Sequence, residues 1–164
     1  MSDRLQQMER WLNSLGYHNY TLTSASEDAS FRSYQRLQQG TNSWVVMDAP
    51  PDKEPCDCFI EIANKLGQAG LSAPKVINQN LELGFLLLTD LGSTPYLSVL
   101  NADSKKALYS DALAALLRMQ VNVTSLNLAK YNRALLSREM DLFHDWFLTE
   151  LLGIRLNVSQ QKQW

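Results

Sequence analysis

Apolar residues near the start of the chain, Leu5, Met8, Trp11, Leu12 and Leu15, recur at helical spacing, and Gly16 follows them as a natural stop. A short leading helix is predicted there. Next come three β-rich stretches, Tyr20 to Thr23, Phe31 to Leu37 and Ser43 to Met47, parted by the polar run Ser24 to Ser30 and by Gln38 to Asn42. They read as consecutive antiparallel strands. Ala49-Pro50-Pro51-Asp52 breaks the third, because proline has no N–H to give a ladder and restricts the residue before it. Phe59, Ile60, Ala63 and Leu66 then share one helical face, with Glu61 and Lys65 at the favourable i,i+4 spacing and Gly67 or Gly70 to end the helix. Ala73 to Ile77 and Gly84 to Thr89 read as two further strands joined through Asn78-Gln79-Asn80.

Beyond Asp90-Leu91-Gly92 the β-rich runs give way to long helical patterns, and no proline follows Pro95. A domain boundary is expected there, between residues 1–91 and 92–164. Asp103-Ser104 is placed to cap a helix carrying Leu108, Ala112, Ala115, Leu116 and Met119. A second helical pattern runs from about Arg133 to Leu152, through Leu135, Leu136, Met140, Phe143, Phe147 and Leu151, with Gly153 at its end. The tail, Ile154 to Trp164, is polar and shows neither caps nor an apolar return, as if the second domain were incomplete. The fold class this predicts is α+β: an antiparallel sheet of about five strands with a packed helix, then helices.

Charge narrows the range of partners. The 164 residues hold 15 Lys and Arg against 17 Asp and Glu, a net charge of −2, so no excess of cations is available to displace the counterions of a nucleic acid. No apolar run has the length of a membrane helix, and Met1-Ser2-Asp3-Arg4 leads into an amphipathic pattern, so a soluble, cytoplasmic chain without membrane or nucleic-acid partners is expected. Cys56 and Cys58 are too few and too close for a disulfide framework, and partly buried free thiols are expected. His18 and His144 have no second His or Cys at ligand spacing, so no metal site is expected on either. The phosphate loop G-x-x-x-x-G-K-[ST], the dinucleotide fingerprint G-x-G-x-x-G and the nucleophile elbow G-x-S-x-G are all missing.

The informative stretch runs from Ser24 to Arg36 and contains Asp28-Ala29-Ser30-Phe31-Arg32. A turn of small hydroxyl residues followed by arginine offers backbone N–H groups and a cation to an anion such as phosphate. The same residues also read as a solvated hairpin loop with Arg32, Tyr34 and Arg36 alternating on an exposed face. The surrounding strings bear on the choice. Asp28 to Arg32, Val45-Val46-Met47-Asp48-Ala49-Pro50-Pro51, Ala69-Gly70-Leu71 with Pro74, Gly84 to Gly92, and Tyr131-Asn132-Arg133-Ala134-Leu135-Leu136 together resemble the aminoglycoside phosphotransferase family of kinase-like folds. Within it they look like the branch of N-acetylmuramate/N-acetylglucosamine 1-kinases, and the likeness covers nearly the whole chain.

This resemblance implies a kinase-like small lobe followed by the start of a large one, and ATP-dependent phosphoryl transfer to the anomeric hydroxyl of an amino sugar in cell-wall recycling. It further implies that Asp28, Ser30, Phe31 and Arg32 cover the nucleotide phosphates, with Arg36 as a further cation. Glu61 then sits on the helix that normally pairs with a strand lysine, and Leu88, Thr89, Asp90 and Leu91 form the linker beside the adenine. Two departures stand out. Met47 occupies the lysine position, so Arg32 or Arg36 would have to supply the phosphate charge, and Glu61 reads equally as a surface carboxylate bridged to Lys65. The catalytic string H-x-D-x-x-x-x-N and the metal-binding Asp of the family are missing: His144-Asp145-Trp146 has the wrong spacing, and Asp90-Leu91-Gly92 comes too early. ATP is therefore expected as ligand, Mg²⁺ only through large-lobe residues that the chain does not carry, and turnover from this chain alone is not expected. The alternatives are a non-catalytic interaction module, self-associating or completed by a partner through apolar faces around Leu135, Phe143 and Phe147, and a related kinase of an aminoglycoside, choline or a thiosugar.

Overall fold

The computed structural model describes residues 3–27, 30–124 and 130–163. Packing groups the residues up to Thr124 into one unit and the later ones into a second.

In the first unit, α1 (Asp3–Ser14) leads into β1 (Thr21–Glu27), β2 (Ser33–Gln39), β3 (Asn42–Asp48), α2 (Asp57–Gln68), β4 (Val76–Asn80) and β5 (Phe85–Thr89). The strands form one antiparallel sheet in the order β1-β2-β3-β5-β4. β1, β2 and β3 lie side by side in chain order, and the excursion through α2 returns the chain at the far edge, so that β5 pairs with β3. The α+β class expected from the sequence is the one observed.

Helices cover both faces of this sheet, which explains why β5 is apolar at nearly every position. Phe85 and Leu87 join Leu37 and Val46 against Met8, Trp11 and Leu12 of α1. Leu86 and Leu88 join Met47 and Ala49 against Cys56, with Phe59 and Ile60 of α2 packed on them. Trp11 stacks on Phe85 with ring centroids 5.7 Å apart. Arg4 of α1 holds the buried Asp48 carboxylate and lies 4.5 Å above the Phe85 ring, fastening the helix to the edge of the core.

The polar run after Thr23 is not all loop, as expected from its composition; β1 continues through Glu27. Pairing along β2 outweighs the weak strand preference of serine and alanine. Ser24 lies opposite Gln35 and Ser26 opposite Tyr34, so Ala25 is the extra residue of a bulge. Phe31 and Arg32 precede β2 instead of opening it. Asn78 to Asn80 are likewise strand, and the turn into β5 is 81–84, where the Asn80 side chain accepts from the Leu83 N–H at 3.0 Å. Gly84 there has a φ of +73°, and a Cβ on it would lie 1.9 Å from the Ala49 carbonyl oxygen. Its own carbonyl accepts the Ala49 N–H at 2.9 Å, so β3 and β5 meet through backbone alone.

After β5 come α3 (Tyr96–Val99) and α4 (Lys105–Asn122). Arg118 of α4 donates to the Gly70 carbonyl at 2.9 Å, tying this helix to the turn behind α2. The cap expected from Asp103-Ser104 takes another form. Ser104 stands at the N-cap, but its hydroxyl donates to the Val99 carbonyl and accepts from the Asn101 N–H. The Asn101 side chain instead accepts the N–H groups of Asp103 and Ser104. No residue of α4 is buried.

The second unit begins with α5 (Arg133–Leu142), capped by the Asn132 side chain accepting from the Leu135 N–H at 3.0 Å. The helix predicted to run on to Leu152 changes character at Phe143 and becomes π-helical over Phe143–Leu151, where Leu152 N–H reaches the Phe147 carbonyl. Phe143 stacks on Phe147 at 5.0 Å, and both stay partly exposed. The tail is not capless: Asn157 and Gln160 exchange side-chain-to-backbone hydrogen bonds at 2.9 and 3.0 Å and start α6 (Val158–Gln163). No described helix is long and apolar enough to cross a membrane.

Candidate functional site

Alternation along the strands sends Tyr34 and Arg36 of β2, Val45 and Met47 of β3, and Leu86 and Leu88 of β5 to the α2 face of the sheet. Arg36 lies opposite Val45 and Val45 opposite Leu88, one row across three strands. Above this row opens a cavity of about 310 Å³, lined also by Ala25, Phe59, Pro74 and the strand exit Thr89 to Gly92. Ala25 stands two residues beyond Thr23, which lies opposite Arg36, so alternation along β1 carries it to the same face of the sheet. The bent end of the first hairpin and the exit of β5 therefore share one concavity.

One edge of the cavity is set by a compact set of hydrogen bonds. Arg36 grips the Asp90 carboxylate with two nitrogens, at 2.7 and 3.1 Å, and also donates to the Gly92 carbonyl at 3.2 Å. The same carboxylate accepts the Gly92 N–H at 2.9 Å. Gly92 can turn both its N–H and its carbonyl into this arrangement because its φ is +91°, a conformation that a side chain resists. The Asp90 side chain is only 7% exposed. Its carboxyl is lowered from 3.8 to about 2 by the Arg36 hydrogen bonds first, then by the Gly92 N–H and the Ser43 hydroxyl, which together outweigh the cost of burial.

The remaining site residues read from the sequence fall in different places. Leu88, Thr89, Asp90 and Leu91 line the cavity as a group. Thr89 is also tied to Lys75: its N–H donates to the Lys75 carbonyl and its hydroxyl accepts from the Lys75 N–H, both at 3.0 Å. Arg32 lies outside it, in a neighbouring apolar cavity of about 210 Å³ that shares Phe59 and Pro74 with the first. There its guanidinium pairs with Glu54 at 2.8 Å, out of line for an N–H···O bond, and lies 5.9 Å from the centre of the Phe59 ring. Ser30 accepts the Arg32 N–H at 3.2 Å. Phe31 is exposed, with Lys53 above its ring at 5.5 Å. Asp28 lies outside the described residues. Glu61 does not line the cavity and pairs with Lys65 at 2.7 Å. Met47, in the lysine position, is fully buried.

Both cysteines are free; Cys56 is buried, which pushes its thiol up, and Cys58 is exposed, not partly buried as expected. Among the described residues no group of three or more His, Cys, Asp or Glu could hold a metal ion. The site thus does not fit a divalent cation on its own.

A family model described as the phosphotransferase enzyme family matches residues 21–161. The chain belongs to this family. It is 42% identical to the N-acetylmuramate/N-acetylglucosamine kinase of Pseudomonas putida, an alignment that takes in 98% of this chain and 51% of that one. The kinase of the same name from Pseudomonas aeruginosa is 43% identical, over 100% of this chain and 52% of its own. That of Neisseria meningitidis is 32% identical, over 96% and 48%. The chain spans about half the length of these relatives.

Ala25, Tyr34, Val45, Phe59, Pro74 and Gly92 also wall the cavity, and none of them was read from the sequence as a site residue. Tyr34 and Val45 were within reach, since each stands two residues from a position already singled out, Arg36 and Met47, and so on the same face. Ala25 carried no such signal, because the polar run around it reads as a loop and acquires a face only by pairing with β2.

Proposed function

We propose that the cavity between the first hairpin and the exit of β5 seats the base of ATP, and that this chain is the nucleotide-binding part of a kinase that phosphorylates the anomeric hydroxyl of N-acetylmuramate or N-acetylglucosamine in cell-wall recycling. The observation that carries this reading is the cavity itself. Apolar walls from Ala25, Val45, Phe59 and Leu88 suit the faces of a flat ring, and the linker Asp90-Leu91 borders them with main-chain donors and acceptors for the ring edge. Likeness to kinases named for these sugars supports the acceptor.

In this reading residues 1–91 do the nucleotide work and 92–164 begin the acceptor side, a division by role that differs from the packing boundary after Thr124. Arg32, which pairs with Glu54 in the adjoining cavity, is the cation this reading assigns to the phosphates. The chemistry ATP supplies is its terminal phosphoryl group; this chain's residues bind the base, exclude water from it and orient the phosphates.

Ala25→Phe tests the reading, because a phenyl ring at the bulge fills the cavity without touching the linker. Wild-type chain titrated with ATP should show saturable binding, and the variant should lose it at least tenfold at unchanged thermal stability. Equal binding by both would place the nucleotide elsewhere.

A further inference from the structure

Arg36 was expected to face phosphate, but its guanidinium is committed elsewhere. Its Nε and Nη2 both donate to the Asp90 carboxylate and Nη2 also to the Gly92 carbonyl, with only 22% of its side chain exposed. A bidentate arginine–carboxylate pair fixes orientation as well as distance. Here the two partners belong to different parts of the cavity. Arg36 sits in the interior of β2, paired on both sides by β1 and β3, whereas Asp90 is the first residue past β5. The strand pairing of β5 ends at Thr89, and just beyond it the Asp90 side chain is held by Arg36, by the Gly92 N–H and by the Ser43 hydroxyl. What holds this segment at the cavity edge is side-chain chemistry anchored in the sheet.

From this we infer that Arg36 and Asp90 are positioning residues that clamp the linker, so that its main chain presents a fixed donor and acceptor pattern to a nucleobase, and that Arg36 is not a phosphate ligand. The inference rests on the proposed nucleotide site and deepens it by naming what reads the base. The Asp90 carboxylate is used up by Arg36 and Gly92, so it is not offered to the N–H groups of guanine. Recognition falls to the main chain of the linker. An adjacent acceptor and donor match the amino group and ring nitrogen of adenine, and guanine presents the reverse order on that edge.

The test uses this chain with adenosine, guanosine and ATP as separate probes. Wild type should bind adenosine more tightly than guanosine. Arg36→Met and Asp90→Asn should each weaken adenosine and ATP by the same factor, roughly tenfold, and bring the adenosine-to-guanosine ratio close to one. Arg36→Lys, which keeps the charge but loses the fork, should fall between wild type and Arg36→Met. General loosening of the fold would lower both nucleosides in proportion and leave their ratio intact, and that result overturns the clamp. So does a loss confined to ATP with adenosine unchanged, which would make Arg36 a phosphate ligand, and so does unchanged binding of every probe. If wild type itself binds neither adenosine nor ATP, the nucleotide site is wrong and the clamp falls with it. Asp90→Asn retains an acceptor for the Gly92 N–H, so it keeps the test decisive should Arg36→Met fail to fold.

Discussion

At the scale of the residue, burial turns polar groups into commitments. Asp90 titrates at about 2 in the folded chain against an ordinary 3.8, chiefly because Arg36 donates to it. Above about pH 4 both folded and unfolded chains carry the charge, and the pair contributes in full, on the order of 2 kcal/mol. As pH falls from about 4 towards 2 the unfolded chain takes up its proton first, so this contribution drains away and is gone below the folded value. The difference in urea-unfolding free energy between wild type and Asp90→Asn should thus be about 2 kcal/mol at pH 7 and shrink towards zero near pH 2. A difference that does not change with pH would mean that the pair does not stabilise the fold. Gly84 is committed sterically, since any Cβ on it meets the Ala49 carbonyl. Gly84→Ala should cost about 3 kcal/mol, from the positive φ and the displaced β3–β5 junction, read as a lowered urea midpoint at an unchanged slope.

At the scale of the element, what the sequence displayed was period, and what it hid was pairing. The 3.6-residue recurrence of Met8, Trp11 and Leu12, and the continuous apolar run of β5, located a helix and an interior strand because one buried stripe and two buried faces leave those signatures. Ser24 to Glu27 look like a loop because their strand character comes from β2 alongside, not from their own side chains. The Asn157-x-x-Gln160 cap could have been seen, being the amide counterpart of a capping box, yet it was masked by the polarity of its surroundings. Arg4 shows why element attachment is harder to read than element existence: nothing local marks a surface-looking arginine as the partner of Asp48, 44 residues away. Arg4→Met should cost about 3 kcal/mol, because it leaves a buried carboxylate without its cation. The double variant Arg4→Met/Asp48→Leu should recover most of that loss, since it removes the orphaned charge along with the pair. Chemical denaturation of the set decides it, and a double variant as unstable as the single one would show that α1 needs the ion pair itself.

At the scale of the whole molecule, family strings carried further than any physical pattern. Val45 to Pro51 and Gly84 to Gly92 sit where the fold is most constrained, at the junction of β3 with β5 and along the cavity edge, so the same residues serve packing and site at once. The catalytic side offers no such convergence. His144, in the π-helical run, holds Asp145 at 2.7 Å, and no Asn stands at the offset the family's catalytic string requires. Seating a nucleotide, which we propose for the sheet and linker, and transferring its phosphoryl group are separable demands; the second requires a base and metal ligands, and among the described residues no group of three or more His, Cys, Asp or Glu could hold a metal ion. The expected outcome is binding without turnover. Incubated with ATP, Mg²⁺ and N-acetylglucosamine or N-acetylmuramate, the purified chain should bind adenine nucleotide yet form no sugar phosphate above the buffer control, as followed by ³¹P NMR. A sugar phosphate accumulating in proportion to chain concentration would mean that a catalytic arrangement exists within these 164 residues that neither the family's string nor the described side chains reveal.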